Sequence, residues 1–124
     1  MLKFIKTNFP ILAGLLLIVA LGPTNQGYAS VYAYVSNSFD NTVSVVRTSD
    51  NTIVSNVAVG EWPYGVAISP DGEYVYVSNS GDDTVTVIRT SDNSVTANIN
   101  VGISPGGISV SPDGTYVYTA NNDD

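Results

Sequence analysis

Apolar and polar positions alternate in short runs along most of this chain, and the runs are too brief for helices. In residues 64–69 (YGVAIS), Tyr64, Val66 and Ile68 alternate with the small Gly65, Ala67 and Ser69. This period of two predicts a strand with one face close against a neighbour. Ser69, Pro70, Asp71 and Gly72 then predict a turn, because proline presets φ, aspartate tolerates the second position and glycine accepts positive φ. The Tyr- and Val-rich residues 73–79 (EYVYVSN) read as the returning strand of a hairpin, broken at 80–83 (SGDD). Residues 84–89 (TVTVIR) alternate again before a turn at 90–93 (TSDN). In 94–101, Val95, Ala97, Ile99 and Val101 point one way and polar residues the other, as on an outer edge strand.

The same order of elements recurs. Tyr34-Val35-Ser36-Asn37 matches Tyr76-Val77-Ser78-Asn79, and both match residues 118–121, where Tyr118 and Asn121 keep their places at a spacing of 42. Residues 34–75 align with 76–117 without gaps, with 25 of 42 positions identical. Ser111, Pro112, Asp113 and Gly114 repeat the turn of 69–72. A period of 40 to 45 residues made of short strands predicts propeller blades of four strands each. The expected fold is therefore all-β: four-stranded antiparallel β-propeller blades, about 2.3 repeats of 42 residues. Residues 30–61 hold an incomplete first blade, 62–101 a complete one and 102–124 the first two strands of a third, nine strands in all.

The first 29 residues break the pattern. Lys3 and Lys6 precede an apolar run from Phe9 to Leu21, followed by Gly, Pro and the small Gly27 and Ala29. That order predicts a helical secretory signal peptide over 1–29, cleaved between Ala29 and Ser30, with an uncleaved N-terminal anchor as the alternative, and a secreted or cell-surface protein. The thirteen residues of the run span only about 20 Å as a helix, short of the roughly 30 Å of bilayer hydrocarbon. Membrane contact is thus expected only through this segment.

The whole chain carries a formal charge of −7. Residues 30–124 keep Arg47 and Arg89 against all eleven acids, a charge of −9. Such a surface repels phosphate backbones, so no nucleic-acid partner is expected. With no cysteine and no histidine, disulfides, thiolate chemistry, His-based metal sites and a Ser-His-Asp triad are excluded.

Several residues invite a chemical role. Asp71 and Asp113 are accounted for by their turns. Asp82 and Asp83, with Asp40 at the matching position of the first repeat, are the candidates for a calcium ion, although EF-hand spacing is absent; no other cofactor is expected. Arg47 and Arg89 stand three residues before Asp50 and Asp92, which predicts ion pairs with these aspartates or with an acid of the next blade. The link 60–65 (GEWPYG) does not repeat: Glu61, Trp62 and Tyr64 give way to Ile103, Ser104 and Gly106. An aromatic and an acid on a loop suit recognition of a sugar or peptide, which makes Glu61, Trp62 and Tyr64 the candidate ligand-binding residues.

The tandem Tyr-Val-x-Asn strand preceded by Ser-Pro-Asp-Gly, read here at Ser69 to Gly72 and Tyr76 to Asn79, resembles the YVTN-type β-propeller repeat family. The resemblance covers residues 30–124. It implies a secreted or surface-layer-type repeat protein, related to propellers with lactonase or redox activity. The expected function is a non-catalytic binding or structural module for protein or carbohydrate contacts at the cell envelope. A fragment of a lactonase or quinoprotein-like propeller enzyme is the alternative. Propellers close with four to eight blades. The count of 2.3 units therefore implies a truncated frame or fragment, or a subunit that completes its ring with copies of itself. Its first partners are other blades, from the same chain or from copies.

Overall fold

The computed structural model describes residues 17–21 and 30–122. Ten strands follow one another: β1 (Leu17–Leu21), β2 (Val31–Asn37), β3 (Thr42–Arg47), β4 (Thr52–Ala58), β5 (Pro63–Ile68), β6 (Tyr74–Asn79), β7 (Thr84–Arg89), β8 (Ser94–Asn100), β9 (Pro105–Val110) and β10 (Val117–Asn121). They form two four-stranded sheets, β1 to β4 and β5 to β8, and a two-stranded sheet of β9 and β10. Every pairing is antiparallel and in sequence order. The sheets form an open row of blades, and no helix occurs among the described residues. The nine strands expected over 30–124 are all present.

The expected signal-peptide helix is not what this structure holds at 17–21. Leu17 to Leu21 pair with β2, placing Leu17, Ile18 and Val19 opposite Val35, Tyr34 and Ala33. In the second sheet Val66, Ala67 and Ile68 face Val77, Tyr76 and Val75, one repeat further on, so β1 takes the inner-strand place that β5 fills. A short run of Leu, Ile and Val suits a strand as well as a helix. The unpaired edge of β2 supplies the hydrogen-bonding partners that decide it. The rest of 1–29 lies outside the described residues.

Backbone punctuation repeats with the sequence. Positive φ occurs at Asn41 and Asp83, Asn51 and Asn93, Trp62 and Ser104, and Gly72 and Gly114, each pair 42 apart. In the Ser-Pro-Asp-Gly turn, Gly72 N–H donates to Ser69 O at 2.8 Å. Asp71 Oδ1 accepts from Ser69 Oγ at 2.5 Å and from Glu73 N–H at 2.9 Å. These bonds hold the Asp71 carboxyl below the usual range, and the same set at Asp113 brings it to about 2. Both aspartates therefore work inside their turns.

The core lies between the first two sheets, where Tyr34, Val43, Val45, Val57, Val66, Val75, Val77 and Ile88 are buried together. Equivalent tyrosines record how much each sheet is covered: Tyr34 is 1% exposed, Tyr76 half-buried and Tyr118 59% exposed. Tyr34 owes its burial to the following sheet, whose β7–β8 turn offers Asn93 Oδ1 to the Tyr34 hydroxyl at 3.0 Å. The seams are also pinned by serine. Ser36 Oγ donates to Tyr64 O at 3.0 Å, and one repeat later Ser78 Oγ donates to Gly106 O at 2.6 Å. Backbones approach closely there, since a Cβ on Gly65 would lie 2.6 Å from Gly106 O.

A polar ladder crosses each four-stranded sheet. Asn79 Nδ2 donates to Thr84 Oγ1 (3.0 Å) and Thr86 Oγ1 (2.8 Å), and Thr86 Oγ1 donates to Asn98 Oδ1 (2.8 Å). Asn37, Ser44 and Asn56 repeat it in the first sheet. Asn79 thus ties β6 to β7 from a fully buried position, and its Oδ1 is left without a partner.

Candidate functional site

Strand direction sorts the loops into two ends. The turns 38–41 and 80–83 share one end with the links 59–62 and 101–104, while the Ser-Pro-Asp-Gly and TSDN turns lie at the other. The candidate ligand residues Glu61, Trp62 and Tyr64 stand at the first end, at the seam between the first two sheets.

The link is held from both sides. Trp62 N–H donates to Asn41 Oδ1 at 3.0 Å, and Ser38 Oγ donates to Pro63 O at 2.7 Å, both from the first sheet. From the second sheet, Asp82 Oδ2 accepts Glu61 N–H at 2.7 Å, and Ser80 N–H and Oγ both donate to Trp62 O. Trp62 has φ of 51°, an uncommon conformation for a bulky residue, and the Asn41 bond is part of what fixes it. Asp83 does the same for Ser104, accepting its N–H at 2.8 Å where φ is 53°. The scaffold is therefore common to both seams, while its side chains differ.

Those side chains are presented to solvent. Trp62 is 63% exposed and Tyr64 57%. Sequence reading overlooked a third aromatic beside them: Phe39, 80% exposed, between Ser38 and Asn41, both of which bond to the link. The signal was available, because Phe39 aligns with Gly81 and is lost at the next seam together with Trp62 and Tyr64.

The acidic candidates divide. Asp82 and Asp83 each give a carboxylate oxygen to a backbone N–H of a link, and Asp40 lies on the turn of the first sheet. Among the described residues no three acidic side chains gather closely enough to hold a metal ion. Gly60 packs under this region, where a Cβ would fall 2.5 Å from Asp82 Oδ2 and 2.7 Å from the Asn79 amide. A shallow cleft runs beside it, lined by Ala58, Val59, Gly60, Asp82, Thr84 and Asn98.

The arginines occupy the opposite end. Arg47 pairs with Asp50 at 3.0 Å and Arg89 with Asp92 at 3.1 Å. Hydrogen bonds from Arg47 and Thr52, and from Ser94 and Arg89, hold the Asp50 and Asp92 carboxyls at about 2. No described residue near Trp62 is basic, so Asp40, Glu61 and Asp82 meet no counter-charge there. What remains is an open, aromatic and acidic face on a rigid seam.

Solved structures of similar shape include hydrazine synthase of Kuenenia stuttgartiensis, at 33% identity and a TM-score of 0.73 over 74% of this chain. A second is the dihydro-heme d1 dehydrogenase NirN, at 25% identity and a TM-score of 0.66 over 73% of the chain. A third is a functionally unknown protein of Desulfotomaculum acetoxidans, at 24% identity and 0.71 over 96%. The chain spans 26%, 19% and 38% of these proteins' own lengths. No curated protein sequence matches. The model of one family covers residues 10–124, taking in both repeats and the β1 segment, and the chain belongs to that family, the YNCE-like β-propellers.

Proposed function

We propose that the chain is a non-catalytic binding module of a secreted or cell-surface propeller protein, making protein or carbohydrate contacts through the link 61–64. One observation carries the reading. Two seams share one backbone scaffold, yet only the first displays exposed aromatics and an acid on its link. Rigid scaffolds with variable loops are where recognition is built. The lack of histidine and cysteine, and the engagement of both arginines in ion pairs, favour binding over catalysis.

The 1–29 segment has the order of a signal peptide, and its cleavage after Ala29 would leave the inner-strand place beside β2 open to another strand. Further blades, from the same chain or from copies of it, are the first partners of the row. No cofactor is required by this reading.

The experiment compares wild type with a Trp62→Ser, Tyr64→Gly double variant on a panel of glycans and envelope polypeptides. Both substitutions adapt the first seam to residues carried by the second. Selective binding lost in the double variant is the expected result, and identical profiles would overturn the reading. A second reading, a fragment of a propeller enzyme, is favoured by the likeness to hydrazine synthase and to the dehydrogenase NirN. Lactone hydrolysis or redox turnover by the purified chain would establish it.

A further inference from the structure

The structure points to the chemistry of the partner, an inference that rests on the link 61–64 being a binding face. We propose that the seam carrying Phe39, Trp62 and Tyr64, with Asp40 and Glu61, docks a basic polypeptide segment whose Lys or Arg side chains lie over the rings and beside the carboxylates.

Three observations favour a cation. First, the aromatics are solvent-exposed on neighbouring elements that are hydrogen-bonded together through Ser38 and Asn41. Exposed aromatics on bonded neighbouring elements offer ring faces to a partner, and aromatic faces attract ammonium and guanidinium groups. Second, the carboxylates of Asp40 and Glu61 are exposed and engage no described residue, whereas Asp50, Asp71, Asp92 and Asp113 at the far end are held by hydrogen bonds. Third, both cations among the described residues are at that far end, and the described charges around Trp62 are all negative. The next seam keeps an acid, Asp82, in the place of Asp40 but lacks the three aromatics and Glu61, with Gly81, Ser104, Gly106 and Ile103 at the matching places.

A polypeptide suits the face better than a single small cation. The surface is open, and one cation over one exposed ring gains little. Several Lys or Arg side chains spaced along one chain add their contacts without repeating the cost of association. Anionic glycans and nucleic acids are repelled by the same charges.

Trp62 is the chain's sole tryptophan and therefore reports directly on the face. The experiment titrates hexalysine, hexaglutamate and chitohexaose into the whole chain and follows Trp62 emission at low and at moderate salt. Hexalysine is expected to change the emission saturably, with affinity falling as salt rises. Phe39→Gly, Tyr64→Gly and Glu61→Ile, each adopting a residue of the next seam, should weaken it about threefold to fivefold apiece. Glu73→Gln, an exposed acid at the far end, should change nothing. Equal hexalysine affinity across all variants would reduce the effect to overall charge and overturn the proposal. Binding of chitohexaose without hexalysine would overturn the cationic partner while preserving the binding face. A response to none of the probes would also overturn it.

Discussion

Replacing Tyr34 with phenylalanine tests how firmly the second sheet covers the first. The side chain is 1% exposed, and its hydroxyl donates to Asn93 Oδ1 at 3.0 Å across the seam. At neutral pH the variant loses one hydrogen bond, worth about 0.5–1.5 kcal/mol. In alkali the sign changes. Burial pushes the Tyr34 hydroxyl from 10 to about 12, so above pH 10 the unfolded chain releases this proton while the native chain retains it. The contribution is fully present below pH 10 and is lost as pH rises towards 12, at about 1.4 kcal/mol per unit and at most about 2.7 kcal/mol in total. Phenylalanine has no such proton. Urea unfolding followed by far-UV circular dichroism from pH 7 to 11.5 should therefore show wild type the more stable at neutrality and Tyr34→Phe the more stable near pH 11.5. Curves that stay parallel throughout would refute the burial of this hydroxyl at the seam.

Other expectations concern single features. Gly65→Ala places a Cβ 2.6 Å from the backbone oxygen of Gly106, so it should lower stability by about 1–3 kcal/mol and raise amide exchange in β9, read by hydrogen exchange. Thr86→Val removes the centre of the ladder from a fully buried site and leaves Asn79 and Asn98 short of a partner; a loss of about 1–3 kcal/mol in urea unfolding is expected. Asp50, Asp92 and Asp113 have carboxyls lowered to about 2, so their contribution is present above the ordinary 3.8 and is lost as pH falls towards 2. Carboxyl carbon shifts in an NMR titration should show Asp50, Asp92 and Asp113 titrating late, with Asp71 also below the ordinary value, and Arg47→Gln should return Asp50 towards it. Millimolar calcium should leave the thermal midpoint unchanged, because Asp82 and Asp83 already serve backbone N–H groups; a rise of several degrees would restore a metal role for them.

Local chemistry explains what could be read from the chain. Ser69 to Gly72 fold into their turn through bonds among themselves, and the Arg47–Asp50 pair spans three residues, so both were visible in short windows. The seams were not. Ser36 meets Tyr64 and Tyr34 meets Asn93 only after sheets stack, and nothing local marks a serine or a tyrosine for such a contact. Leu17 to Leu21 misled for another reason: an apolar run carries no period, and the deciding partner, the edge of β2, is distant in sequence. Phe39 reads alone as a residue in a loop. Only its placement beside Trp62, together with Gly81 in the next repeat, gives it meaning.

The serine pins have a wider consequence. Ser36 and Ser78 join successive blades through the same atoms, 42 residues apart, so each blade is coupled chiefly to its immediate neighbours. Stability in such an array grows as a sum of unit and interface terms, and loss of one interface splits a cooperative whole into separately melting parts. The tyrosine series marks where that coupling runs out along the row, from Tyr34 sealed within it to Tyr118 open at its end. Grafting one more 42-residue unit after β10 should then raise the melting temperature by a step set by the new interface, whichever unit is copied.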